Sequence, residues 1–189
     1  MSVQSWVQTL VAAQTAGPTL TAAAAATALP TSARGIIPAG ALNTVGAKMR
    51  LTASGSISCV VTTPGTARYD LRLGATGTIV VFDTLAMPLN IVGKTNVGWW
   101  LDVIMTVRTV GGGTSATLFP QGKWQSEAFI GSPLATVGGN GSIMVPFNTA
   151  PAAGAGFDST IANTIDFFFT QTVATGSMTV QQFSLALLN

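Results

Sequence analysis

In KMRLTASGSISCVV (residues 48–61) the odd positions Met49, Leu51, Ala53, Ile57, Cys59 and Val61 are apolar or small, while the even positions Lys48, Arg50, Thr52, Ser54, Ser56 and Ser58 are polar. A period of two sends successive side chains to opposite faces, so this is a half-buried strand. Gly55 sits inside it, where a strand glycine marks a bulge or a bend. Thr63-Pro64-Gly65 follows as a tight reversal, with Pro and Gly placed for a turn.

The same alternation continues on both sides of that turn. In TARYDLRLG (66–74), Ala67, Tyr69, Leu71 and Leu73 share one face, and Arg68, Asp70 and Arg72 the other. TIVVF (78–82) is a continuous β-branched and aromatic run suited to a central strand. WWLDVIMTVRTV (99–110) is the longest candidate, with Trp99, Leu101, Val103, Met105, Val107 and Thr109 opposed to Trp100, Asp102, Ile104, Thr106 and Arg108. Gly111-Gly112-Gly113 ends it, and TSATLFPQGKWQSEAFIG (114–131) returns as a hairpin partner. SIMVPF (142–147), TIDFFFTQTV (164–173) and SMTVQQFSLALL (177–188) complete the set, and IANT (161–164) is long enough for one short helical turn.

About eight to ten strands joined by Gly- and Pro-bearing turns define an all-β chain, an antiparallel β-sandwich of jelly-roll-like type. No repeat at a fixed period points to a propeller or solenoid. Composition divides the chain into an Ala/Thr-rich N-terminal arm, 1–34, extended or partly helical, and a sandwich domain, 35–189. A terminus of that composition is ordered only if something ties it down, and the expectation is that neighbouring chains do so. LVAAQTAGPTLTAAAAATAL (10–29) is too rich in Ala and Thr for a membrane span, and MSVQSW lacks the basic segment of a signal peptide.

Charge is the second informative feature. Only 7% of residues are charged, there is no histidine, and residues 1–33 and 128–157 carry no ionisable side chain. An ordinary soluble domain is about one-quarter charged. A subunit that hides surface against neighbours can do without such residues. The eight basic residues are dispersed and give a net charge of only +2, which is no footprint for nucleic acid. One cysteine and no histidine cannot build a metal cluster or an internal disulfide, so Cys59 is expected to be a small core hydrophobe.

The six carboxylates, Asp70, Asp83, Asp102, Glu127, Asp158 and Asp166, lie far apart in sequence. A glycosidase would need two of them in one cleft. Asp70 between Arg68 and Arg72, and Asp102 on a face with Arg108, are expected instead to form cross-strand ion pairs. AGAGFDST (153–160) is expected to be a surface turn capped by its Asp, Ser and Thr side chains rather than a cation or sugar loop. Trp99 and Trp100 must point to opposite faces, so one packs in the core and the other meets a neighbour, a sugar or solvent. No catalytic, metal or cofactor-binding residue is assigned.

ISCVVTTPGT (57–66), TNVGWWLDVIMTVRTVG (95–111), GKWQSEAFIGSP (122–133), APAAGAGFDST (150–160) and VQQFSLALLN (180–189) resemble small structural proteins of tailed bacteriophages and prophages. The resemblance implies a non-enzymatic virion component, a jelly-roll-like decoration or cement protein on the capsid surface, made in the bacterial host cytoplasm. Its partners would be the major capsid protein and copies of itself in a homotrimer, with no nucleic acid, membrane or cofactor. Candidate contact residues are Trp6, Val7, Leu10, Leu20 and Leu29 in the arm, with Trp100 and Trp124 in the sandwich. The alternative is a tail or fibre subunit binding host glycans through an exposed tryptophan. A polysaccharide-degrading enzyme and a secreted carbohydrate-binding module are the remaining rivals.

Overall fold

The computed structural model describes residues 7–129 and 141–188. In chain order its strands are β1 (Val7–Ala12), β2 (Ala25–Thr27), β3 (Ile36–Ile37), β4 (Lys48–Cys59), β5 (Thr66–Leu73), β6 (Ile79–Asp83) and β7 (Met87–Pro88). They continue with β8 (Lys94–Thr109), β9 (Thr117–Ser126), β10 (Ser142–Val145), β11 (Asn163–Thr164), β12 (Asp166–Gln171) and β13 (Ser177–Leu188). Among the described residues the only helical piece is a 3-10 turn at Thr31–Ala33.

The strands form an antiparallel sandwich. One sheet is six-stranded, ordered β1-β13-β4-β8-β9-β10; the other is five-stranded, ordered β2-β12-β5-β6 with β7 also on β5; β3 and β11 make a small separate pair. In both sheets the chain's end returns beside its beginning, β13 on β4 and β12 on β5. That return is the jelly-roll-like element, and in the larger sheet β13-β4-β8-β9 has the Greek-key spatial order.

Alternation decides which residues fill the space between the sheets. Met49, Leu51 and Ala53 from β4 are buried with Leu101, Val103 and Met105 from β8 and with Leu71 and Leu73 from β5. Tyr69 sits at the centre, its ring 4.8 Å from Trp99, 5.2 Å from Phe169 and 5.8 Å from Phe167, so one side chain of β5 bridges both sheets. Each such aromatic pair contributes about 0.5–1.5 kcal/mol beyond burial. Neither Tyr69 Oη nor Trp124 Nε1 finds a hydrogen-bond partner among the described residues, and burial pushes the Tyr69 phenol far above its ordinary value.

The glycine in the deciding stretch has a clear cause. A Cβ at position 55 would fall on the carbonyl oxygen of Thr179. The register of β13 slips between Val180 and Gln182 opposite this point, so the bulge lies in the partner strand and presses against Gly55.

Three expectations change. TIVVF lies in the terminal strand β6 of its sheet, not a central one; its apolar run is explained by residues 154–155, which cover the free edge, with Ala155 N–H donating to Val80 C=O. IANT is not a helical turn, because Asn163 and Thr164 pair with Ile37 and Ile36. The tether of the arm is the chain's own sandwich: β1 is the outer strand on β13, β2 pairs with β12, and Leu20 bridges to Met178. Val11, Ala28, Leu29 and Ala33 are buried in the common core.

Candidate functional site

The long strands β4, β8 and β9 lie side by side, so their outward residues fall into rows across the six-stranded sheet. One row runs Gln182, Ser54, Trp100, Gln125, Ser142 and the next Ser184, Thr52, Asp102, Lys123, Met144. A third sets Arg50, Ile104 and Gln121 together. Trp99 faces inward, with its indole N–H donating to Ser56 C=O at 3.3 Å, which leaves Trp100 pointing out with 43% of its surface exposed. Ile104 and Met144 are exposed on the same face.

Trp100 stands among uncharged hydrogen-bonding groups. Ser54 donates to Gln182 Oε1 at 3.1 Å, and a shallow depression of about 240 Å³ beside the ring is lined by Thr52, Ser54, Gln182 and Ser184. A half-exposed indole on a sheet face, with hydroxyl and amide groups beside it, can stack an apolar sugar face while those groups hydrogen-bond its hydroxyls. Arg50 holds Asp102 through two hydrogen bonds, of 2.9 and 2.7 Å, so that carboxylate is occupied and the guanidinium is held above its ordinary value. The partner expected for Asp102, Arg108, lies instead over the Phe119 ring, 4.8 Å from its centroid. Lys123 and Arg108 make no ion pair among the described residues.

The outer face of the five-stranded sheet is built differently. Arg68 reaches across to Asp83, Arg72 holds Asp70 and lies 3.6 Å over the Phe168 ring, and Arg34 lies 3.9 Å from Asp166. Asp70 and Asp83 are directly opposite across β5 and β6, the one place among the described residues where two carboxylates are cross-strand partners, and each is clamped by its own arginine. Asp166 also accepts from Thr27 Oγ1 at 2.5 Å.

Asp158 is the capped turn expected of AGAGFDST. Its carboxylate accepts from the Thr160 hydroxyl and N–H and from the Gly113 N–H, and these bonds hold it below the ordinary carboxylate range. Cys59 is buried, and burial pushes its thiol up.

The proposed contact residues scatter. Trp6 lies outside the described residues. Val7 is exposed at the tip of β1, and Leu10 and Leu20 are half-buried. Leu29 and Trp124 are corrected to core: Leu29 precedes the 3-10 turn and packs inward, and Trp124 occupies an inward position of β9. The structure therefore brings Trp100 together with Ser54, Gln182, Gln125 and Lys123, none of which composition singles out. Their signal is visible in the alternation of each strand, but only the register aligns them.

No family profile and no curated protein matches the chain. Among solved structures, one described as the CBM2 module of the evolved Dit of Lactobacillus casei BL23 phage J-1 is similar over 99% of this chain and 98% of that one. The identity is 11% and the TM-score 0.39, too low to bear on what this chain does.

Proposed function

We propose that the chain is a non-enzymatic virion subunit of a tailed phage whose six-stranded outer face recognises carbohydrate, as a tail or fibre component meeting host glycans would. The observation that carries this is Trp100, a half-exposed indole on the outer sheet face in one row with Ser54, Gln182 and Gln125. Support for the virion comes from the resemblance of its sequence phrases to phage structural proteins and from the charge deficit. A binding role also fits the carboxylates, each of which is engaged by an arginine, a lysine or a turn. The test is a glycan array with Trp100→Ala beside the parent. Binding should be present in the parent and fall at least about fivefold in the variant, taking the about 1–3 kcal/mol by which a base stacks on an aromatic side chain as the scale. A parent that binds no glycan, or a variant that binds as well, overturns it.

A second reading, a capsid decoration subunit trimerising on the major capsid protein, is favoured by Val7, Ile104 and Met144, apolar and exposed on the same sheet. It predicts a fixed copy number on purified heads, countable by quantitative mass spectrometry; confinement to tails would exclude it. Deleting residues 2–34 does not test attachment cleanly. That deletion removes Val11, Ala28, Leu29 and Ala33 from the core and strips β13 and β12 of neighbours, so it should unfold the sandwich.

A further inference from the structure

We propose that the polymer recognised by this face is anionic, an extended polysaccharide carrying carboxylate or phosphate groups at intervals and laid along β8 and β9. This rests on Trp100 being a sugar platform and adds the charge class of the ligand. The first ground is an imbalance confined to one side of the molecule. The outer face of the six-stranded sheet presents Lys48, Arg50, Arg108 and Lys123 against Asp102, and Asp102 is already taken by Arg50. On the opposite sheet Arg34, Arg68 and Arg72 all have carboxylates. A chain with so few charges keeps three cations, Lys48, Arg108 and Lys123, on one face without an ion pair among the described residues, and an anionic ligand would complete them.

The second ground is layout. Lys123 is the cross-strand partner of Asp102, diagonal to Trp100. Arg108 lies six residues further along β8, roughly 20 Å away at about 3.3 Å per residue. Its guanidinium lies over Phe119, and at the other end Lys123 lies one row from Trp100. Beside this second ring a depression of about 350 Å³ is lined by Ile104, Arg108, Phe119, Gln121 and Met144. Gln121 and Gln125 supply amides between the two ends. Widely spaced cations separated by neutral hydrogen-bonding groups suit a sparsely charged sugar polymer. Single-stranded nucleic acid, with a phosphate at every nucleotide, calls for a continuous basic groove.

The experiment is titration calorimetry of the full chain against hyaluronan, whose carboxylates fall on every second sugar, a phosphodiester-linked capsular polysaccharide with one phosphate per oligosaccharide repeat, a neutral galactan and a single-stranded DNA oligonucleotide. One or both anionic polymers should bind more tightly than the galactan, and binding should weaken as salt rises. The double variant R108Q/K123Q should lose about tenfold in affinity for the anionic polymer, as two exposed charge contacts would. Lys94→Gln, which removes one cation outside the track, should stay within about twofold. Circular dichroism checks that the double variant folds, and K123Q alone serves if it does not. Equal affinity for galactan and anionic polymers overturns the charge assignment while leaving the Trp100 platform standing. Tighter binding of the oligonucleotide, indifference to R108Q/K123Q, or no binding to either anionic polymer also overturns it.

Discussion

The two outer faces use the same residue types for different ends. On the five-stranded face every arginine is spent on a carboxylate, two of them bidentately, and Phe168 is covered by Arg72. On the six-stranded face Arg50 is matched, Lys48, Arg108 and Lys123 make no ion pair among the described residues, and Trp100, Ile104 and Met144 stay exposed. A face whose charges are internally satisfied presents little to a partner. A face with unmatched cations and bare apolar groups keeps its interactions available, and in so sparsely charged a chain that contrast locates the binding side.

The sharpest way to break this contrast is through the tryptophans. Trp124→Ala should cost about 3–5 kcal/mol, as large-to-small core changes do, while Trp100→Ala should change stability by no more than about 0.5 kcal/mol. Urea denaturation measures both; a large loss for Trp100→Ala would make that residue structural. Next come the ion pairs. The Asp70 side chain is 4% exposed and that of Asp102 20%. Asp70→Ala, which strands Arg72, should cost about 2 kcal/mol, and Asp102→Ala less than about 1 kcal/mol. Equal losses would erase the difference between the faces.

The smallest effect concerns Asp158, which belongs to neither face. Its folded pKa is depressed, so its turn is held fully above the ordinary carboxylate range and released as pH falls through the lowered value. NMR should place its titration midpoint below that of a free aspartate. Faster exchange of the Gly113 and Thr160 amides should appear only on the acid side of that midpoint. A midpoint at or above the ordinary value would contradict the hydrogen bonds described.

The strand set was legible because alternation is a local signal. Residues 48–59 and 99–108 show the expected in-out pattern, Thr109 turning outward past a register shift, and the split between Trp99 and Trp100 follows from their adjacency. What alternation does not carry is register. Nothing near Arg108 says that Phe119 will lie under it, or that Arg50, fifty-two positions away, will take Asp102. TIVVF misleads because a terminal strand whose edge is covered by residues 154–155 still buries Val81 and Phe82 and half-buries Ile79 and Val80. The arm misleads for a related reason: Ala and Thr carry little periodic signal, yet small residues suit a segment pressed along two sheets.

Val7 and Leu188 are cross-strand partners in β1 and β13. The described ends of the chain therefore emerge side by side, with Cα atoms about 4.5–5.5 Å apart as facing strands require. A linker of a few residues would join them without crossing the molecule. The chain could then be reopened at Gly111-Gly112-Gly113, giving a circularly permuted sandwich with β1 to β8 and β9 to β13 exchanged in order. In such a permutant both sheet faces would keep every row of side chains, and its new ends would lie in the loop between β8 and β9.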